Sequence, residues 1–152
     1  MIDKKLLEAA VNWWVDQISG HKLNWDNGAQ NEGTPEDREI GFRMWALGNF
    51  AANNAREKIT SEQIETFKKS LLEQIEGEFE KFEEYQKYAV NSREFKIILS
   101  VDYHPGEYLR EAADEAEIDT AVFPCKTVMW IDNKQVSYRL GYGAEQKLLI
   151  GL

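Results

Sequence analysis

Apolar residues recur at helical spacing in three successive segments of the N-terminal half. The first stripe predicts a helix over residues 3–19, which Asp3 can cap and Gly20 can close. Its members follow one another at intervals of four, three and four residues: Leu7, Val11, Trp14 and Ile18. A stripe of this kind indicates a helix that packs one face against a core.

Two further helices are predicted from their N-terminal signals. Thr34 and Pro35 mark a helix start, and that helix should run to about residue 56. The sequence TSEQ at 60–63 has the spacing of a capping box, and the apolar stripe after it predicts a long helix over 61–89. In the second helix we expect these residues to face inward: Ile40, Met44, Leu47, Phe50 and Ala51.

The pattern changes to that of strands after residue 92. The segment EFKIILSVDY predicts a strand, and Pro105 opens a short helix that ends near residue 116. A β-hairpin is predicted from the segments KTVMWID and QVSYRLGYG, which are joined by a turn at Asn133 and Lys134. Residues 145–150 predict a last short strand. This order predicts an α+β fold: three N-terminal helices followed by a β-α-β-β unit with a small antiparallel sheet.

Length and charge narrow the function classes. The 152 residues predict a single domain over 1–152, with a helical part at about 1–90 and an α/β part at about 93–152. The net charge of −9, from 18 basic and 27 acidic residues, disfavours direct binding to nucleic acid or to an anionic membrane. The single cysteine, Cys125, and the lack of a signal peptide or an apolar membrane span predict a cytoplasmic protein.

Three places could carry chemistry, and none has a complete set of groups. The 21–37 loop offers His21, Asp26 and Glu36, but their spacing matches no metal-binding motif and fits a turn followed by a helix cap. His104 lies at a strand-to-helix junction without a partner, and Cys125 lacks an activating base. The sequence therefore predicts no catalytic residue, no metal site and no cofactor, in a protein that is not an enzyme.

Carboxylates on the third predicted helix are candidates for binding a partner. Residues 73–84 hold six glutamates and one lysine, and a second acidic cluster covers 107–119. Either a solvated face or a docking surface for a basic groove explains such clusters. In the polar loop, Trp25 is a candidate anchor at an interface. The predicted partner-binding residues are Glu73, Glu76, Glu80, Glu83, Glu84, Trp25 and Asp26.

Four segments resemble small acidic proteins of phages and mobile elements of gut Firmicutes. They are AVNWW, NWDNG and, near the end, LSVDYHPGEYLREAADEAEI and FPCKTVMWIDNKQVSYRLGYGA. Some proteins of that kind are anti-CRISPR inhibitors of type II nucleases. The resemblance implies a non-enzymatic anti-defence inhibitor in the cytoplasm of a host bacterial cell. It also implies a basic nucleic-acid-binding protein as the partner, such as a CRISPR nuclease, whose positively charged channel would accept an acidic surface.

Two other function classes stay open at this point. A sponge that sequesters a nucleotide signal would use basic residues of the predicted hairpin and last strand. A small hydrolase or metal-dependent enzyme would use His104 or the 21–37 loop. The sequence does not indicate an oligomeric state.

Overall fold

A computed structural model describes residues 1–19, 33–88, 94–141 and 143–152. The helices in these ranges are α1 (Lys4–Ser19), α2 (Pro35–Glu57), α3 (Ser61–Gln86) and α4 (Glu107–Glu115). The strands are β1 (Ile97–Val101), β2 (Thr127–Ile131), β3 (Gln135–Arg139) and β4 (Lys147–Gly151). A 3₁₀ turn, Thr120–Val122, lies between α4 and β2.

The four strands form one antiparallel sheet in the order β1-β2-β3-β4. The pairing register places Ile98 beside Trp130, Trp130 beside Ser137, and Ser137 beside Leu148. One row of residues therefore crosses all four strands. The predicted α+β fold is confirmed, with three helices ahead of the β-α-β-β unit, and the predicted last strand is present as β4.

Local hydrogen bonds fix the starts of α2 and α3 where the sequence predicts them. The Thr34 hydroxyl accepts a hydrogen bond from the backbone N–H of Asp37, and the Asp37 carboxylate accepts one from the backbone N–H of Thr34. Thr60 and Gln63 form the same reciprocal pair ahead of α3. Each pair satisfies backbone donors that a helix start would otherwise leave without a partner.

The core lies between one face of the sheet and helices α1, α3 and α4. Trp14 of α1 is fully buried, and its ring meets Phe123 edge-on with 6.2 Å between ring centroids. Trp13 is also buried and packs on Tyr138 of β3 at 4.8 Å. Both tryptophans are buried because α1 is covered by α3 on one side and by β3 and β4 on the other.

The inward face predicted for α2 is wrong. Its larger apolar residues are exposed instead, by 56% for Ile40, 64% for Met44, 68% for Leu47 and 73% for Phe50, and Ala51 is exposed as well. Spacing alone cannot tell a stripe that faces the core from one that faces outward. The direction is decided by what the rest of the protein offers as a packing partner.

The opposite side of α2 makes the contact with the rest of the protein. Gly41, Ala52 and Arg56 are buried there, and the helix packs against the 3₁₀ turn. The Arg56 guanidinium donates a hydrogen bond to the backbone carbonyl of Gln17, in the last turn of α1. A positive group at a helix C-terminus is electrostatically favourable, so Arg56 ties α2 to α1.

Helix α3 runs without interruption for 26 residues, which is about 39 Å at 1.5 Å per residue. It ends at Gln86, three residues before the predicted end. Its buried apolar residues are Phe67, Leu71, Ile75 and Phe79. Tyr85, three residues after Phe82 at the end of the same apolar stripe, lies beyond the core and is 62% exposed.

Replacing Gly77 with alanine should stabilise the protein by about 0.5–1 kcal/mol, because glycine in a helix interior loses more backbone entropy on folding. A Cβ atom added at Gly77 would meet nothing within 4 Å. The measurement is the urea concentration at the midpoint of unfolding. It should rise, while the slope of the unfolding free energy against urea concentration stays constant. Gly106→Ala is the control, since its Cβ would lie 3.3 Å from the Ser100 carbonyl oxygen and should bring no such gain. A midpoint for Gly77→Ala equal to wild type would contradict the prediction.

Candidate functional site: the outer face of the sheet

The side of the sheet away from the helices carries an apolar row, which we call the outer face. Ile98 of β1 is 50% exposed and Leu148 of β4 is 62% exposed. Trp130 of β2 lies between them and is half-buried. Ser137 of β3 completes the row; it is buried, and its hydroxyl accepts a hydrogen bond from Gln146 at 2.9 Å.

Strand alternation explains which residues reach this face. In β1 and β2, Ile97, Leu99, Met129 and Ile131 point into the core, so the residues between them point outward. In an antiparallel sheet with one solvated face, the outward positions are commonly polar. Here three of the four outward positions of the row, Ile98, Trp130 and Leu148, are large and apolar, which is typical of a surface that binds another protein.

A groove of about 380 Å³ with aromatic and charged walls lies at the end of the sheet where β1 begins, between the sheet and α3. Phe95, just before β1, stacks on Phe82 of α3 with 4.4 Å between ring centroids and 12° between ring planes. Asp132 closes the β2–β3 turn, where its carboxylate accepts hydrogen bonds from the backbone N–H groups of Lys134 and Gln135 at 2.7 and 2.8 Å. Phe95 and Asp132 therefore line the groove from β1 and from the β2–β3 turn.

The other end of the outer face carries a fixed ion pair. The Lys126 ammonium pairs with the Asp102 carboxylate and lies 4.5 Å from the centre of the Tyr103 ring. The hydrogen bond that the Lys126 ammonium donates to the Asp102 carboxylate raises the pKa of Lys126. Lys126 adopts a left-handed backbone conformation with φ 55°, and its N–H donates to the Asp102 carbonyl. This end also contains Arg139, so charged groups flank the apolar row on both sides.

An apolar centre with a polar rim is the usual anatomy of a protein-binding surface. Tryptophan is enriched among the residues that dominate binding energy, and such residues lie near the centre of an interface. Trp130 has both properties. The outer face is therefore the best candidate functional site in the described part of the chain.

The predicted partner-binding residues lie apart from this face. Glu73, Glu76, Glu80 and Glu84 are exposed on α3, the helix that covers the inner side of the sheet. Glu83 is half-buried, borders the 380 Å³ groove and pairs with the N-terminal ammonium of Met1.

Glu73 borders another groove, between α3 and α4, together with Glu107 and Glu111. Trp25 and Asp26 lie outside the residues that the structure describes, as does most of the 21–37 loop. The binding role of these predicted residues therefore stays a prediction.

His104 and Cys125, the two candidates for chemistry that the structure describes, lie in different environments. His104 is exposed in the turn after β1, whereas Cys125 is buried and donates its thiol hydrogen to the Asp102 carbonyl at 2.7 Å. Burial raises the pKa of the Cys125 thiol, which keeps it protonated and a poor nucleophile. Across the described ranges, no three His, Cys, Asp or Glu side chains are grouped so that they could hold a metal ion. Nor is any helix in those ranges long and apolar enough to cross a membrane.

The model of the BTG family matches residues 45–150, from within α2 to the last strand. The match covers more than half of the chain. The chain belongs to the BTG family. A comparison with individual curated proteins gives no significant match.

Membership in the BTG family overturns the resemblance to phage anti-CRISPR proteins. The function predicted from that resemblance, inhibition of an RNA-guided nuclease, is therefore also wrong. The short segments that carried the resemblance include LSVDY and KTVMWID, which form β1 and β2 of the sheet. They are also part of the region that matches the BTG family.

Sequence reasoning missed the outer face because the segment KTVMWID predicts a strand but not which of its two sides the helices cover. A signal was present: Met129 and Trp130 are adjacent and both large and apolar. Adjacent strand residues point to opposite faces. One of the two must therefore lie outside a core that covers only one side of the sheet.

Proposed function

We propose that this BTG-family protein is a non-enzymatic regulator that binds a partner protein through the outer face. The observation that carries the proposal is the apolar row of Ile98, Trp130 and Leu148, which crosses the sheet inside the matched region. The family suggests a eukaryotic regulatory protein that binds partners such as the CAF1 deadenylase. A deadenylase of that type is therefore the proposed partner.

The chemistry of the described residues supports a binding role more than a catalytic one. The only described histidine is exposed in a turn, and the Cys125 thiol is buried with a raised pKa. By contrast, the outer face has an apolar centre and charged groups at its ends. These are the features that set the affinity and orientation of a bound protein.

The acidic surface of α3 has a secondary role in this proposal. A deadenylase handles RNA, and proteins that bind nucleic acid carry basic surfaces. Exposed carboxylates such as Glu76 and Glu80 would attract such a partner from a distance and raise the association rate. The binding energy itself would come from the outer face.

The test is the binding of the purified chain to a purified CAF1-type deadenylase, measured by titration calorimetry and by association kinetics. The double variant Ile98→Glu/Leu148→Glu should weaken binding at least about 30-fold, because it puts two charges on the apolar row. Met44→Glu is the matched control: Met44 is 64% exposed but lies on α2, and its variant should bind as wild type does.

A second variant separates the acidic surface from the outer face. The triple reversal Glu73→Lys/Glu76→Lys/Glu80→Lys should slow association at low salt and leave the dissociation rate unchanged. Loss of binding in this variant together with full binding by Ile98→Glu/Leu148→Glu would contradict the proposal. No measurable binding of the wild-type chain would exclude this class of partner.

A further inference from the structure

The exposed side of α2 has the spacing of a helix-pairing surface. Ile40, Met44, Leu47 and Ala51 follow one another at intervals of four, three and four residues, and all are exposed. Asn54 and Lys58 continue the same line at three and four residues. This line, which we call the α2 stripe, starts one turn after Glu36. A seam of this spacing is what two packed helices share along their contact.

The two halves of the α2 stripe have complementary shapes. The N-terminal half carries large side chains, Ile40, Met44 and Leu47. The C-terminal half carries the smaller Ala51 and Asn54, which border an open groove of about 440 Å³. Ile118 and Ala121 also line this groove, so its lining is partly apolar.

An antiparallel second copy would bring large side chains opposite the groove. If the two α2 helices cross at Leu47, residue 40 of one copy faces residue 54 of the other. Ile40 of each copy then inserts at the groove of its partner, and the two Leu47 side chains meet at the two-fold axis. Contacts of this kind are made twice, which is the rule for a symmetric dimer.

The charges of α2 favour the same orientation. Glu36 and Lys58 are both exposed, and each lies eleven residues from Leu47. Antiparallel crossing at Leu47 therefore places each Glu36 opposite the Lys58 of the other copy. It also places the positive N-terminal end of each helix beside the negative C-terminal end of the other. Parallel pairing would put like charges together at both ends.

The exposed apolar area is of the size that a dimer needs. At their exposed fractions, four side chains together present about 500 Å² of apolar surface to water: Ile40, Met44, Leu47 and Phe50. A stable interface buries about 800 Å² per partner, of which roughly two thirds is apolar in homodimers. The α2 stripe with Phe50 supplies most of that apolar share.

From this geometry we infer that the protein forms a symmetric dimer through antiparallel pairing of its α2 stripes, with Ile40 of each copy in the groove beside Asn54 of the other. The outer face lies on the sheet and takes no part in this contact. Each copy in the dimer therefore keeps its own outer face available.

The test is sedimentation velocity of the full chain over about 1–100 μM. Wild type should shift from monomer to dimer within this range. Leu47→Glu should raise the dimer dissociation constant at least about 30-fold, because it puts two charges at the two-fold axis. Leu148→Glu, at a residue 62% exposed on the outer face, is the matched control and should dimerise as wild type does. A monomeric wild type at the highest concentration, or a Leu47→Glu variant that still dimerises normally, would overturn the inference.

A charge exchange tests the orientation. Glu36→Lys and Lys58→Glu should each weaken the dimer by about 3- to 10-fold at low salt, and the double variant should recover wild-type affinity to within about twofold. Absence of recovery in the double variant would overturn antiparallel pairing. Deadenylase binding by Leu47→Glu is measured in parallel. This binding measurement tests the proposed function alone, since a monomer retains the outer face.

Discussion

Replacing Trp14 with alanine is expected to lower the free energy of unfolding by about 3–5 kcal/mol. The Trp14 side chain is fully buried in α1, between the edge of Trp13 at 4.9 Å and the ring of Phe123 at 6.2 Å. Removing the indole leaves a cavity where α1 meets the rest of the core. A cavity of that size lowers the free energy of unfolding, because the protein loses both the transfer energy of the indole and its packing contacts.

The measurement is equilibrium unfolding in urea, followed by circular dichroism. Trp14→Phe is the matched variant. Within the described ranges no acceptor lies within hydrogen-bonding distance of the Trp14 Nε1–H, so phenylalanine removes an unsatisfied buried donor as well as some volume. It should cost less than half as much as alanine. Equal losses for the two variants, or a loss below about 1 kcal/mol for alanine, would show that Trp14 does not hold the core together.

The Trp14 result bears on the family match, because α1 lies outside the matched residues 45–150. In this chain α1 fills the inner side of β3 and β4 and packs on α3. A large loss at Trp14 would therefore show that the matched region depends for its stability on a helix that the family model does not cover.

Replacing Trp130 with alanine is expected to reduce affinity for the deadenylase by about 100-fold and to cost at most about 1–1.5 kcal/mol of stability. Trp130 is half-buried at the middle of the outer face, between Ile98 and Ser137 in the sheet register. Its outward ring surface is available to a partner, whereas the core beneath it is filled by Met129 and Ile131. The effect on binding should therefore be much larger than the effect on folding.

Titration calorimetry measures the affinity, and a urea titration of the same samples measures the stability. Trp130→Phe keeps an apolar ring and should retain most of the affinity. Val128→Ala, one row away on the same face of β2, should change affinity less than fivefold because it lies off the centre of the row. A Trp130→Ala variant that folds and binds like wild type would remove the outer face from the proposed function.

Much of the local structure follows from the sequence because it depends on neighbours in the chain. The capping boxes at Thr34 and Thr60 start α2 and α3 where expected, since their hydrogen bonds join residues three positions apart. The hairpin of β2 and β3 forms around the predicted turn, where Asp132 accepts its two backbone hydrogen bonds. The α+β class then follows from the order of the elements.

The direction in which a face points required the tertiary structure. The spacing of Ile40, Met44 and Leu47 is the same for a helix that packs inward and for one that packs outward, and only the contact of Gly41 and Ala52 with the rest of the protein decides between them. For the same reason Trp130 could not be assigned to the core or the surface from its own sequence. A strand residue's environment depends on which side of the sheet the helices cover.

The sequence by itself determined the elements, their caps, the order of helices and strands, and the acidic charge of the chain, because each of these depends on residue type and short-range spacing. The tertiary structure alone decided that the helices cover one side of the sheet, that Ile98, Trp130 and Leu148 form an apolar row on the other, and that the α2 stripe is exposed. These features arise from residues up to fifty positions apart, such as Ile98 and Leu148, which come into one row across the sheet only when the four strands pair.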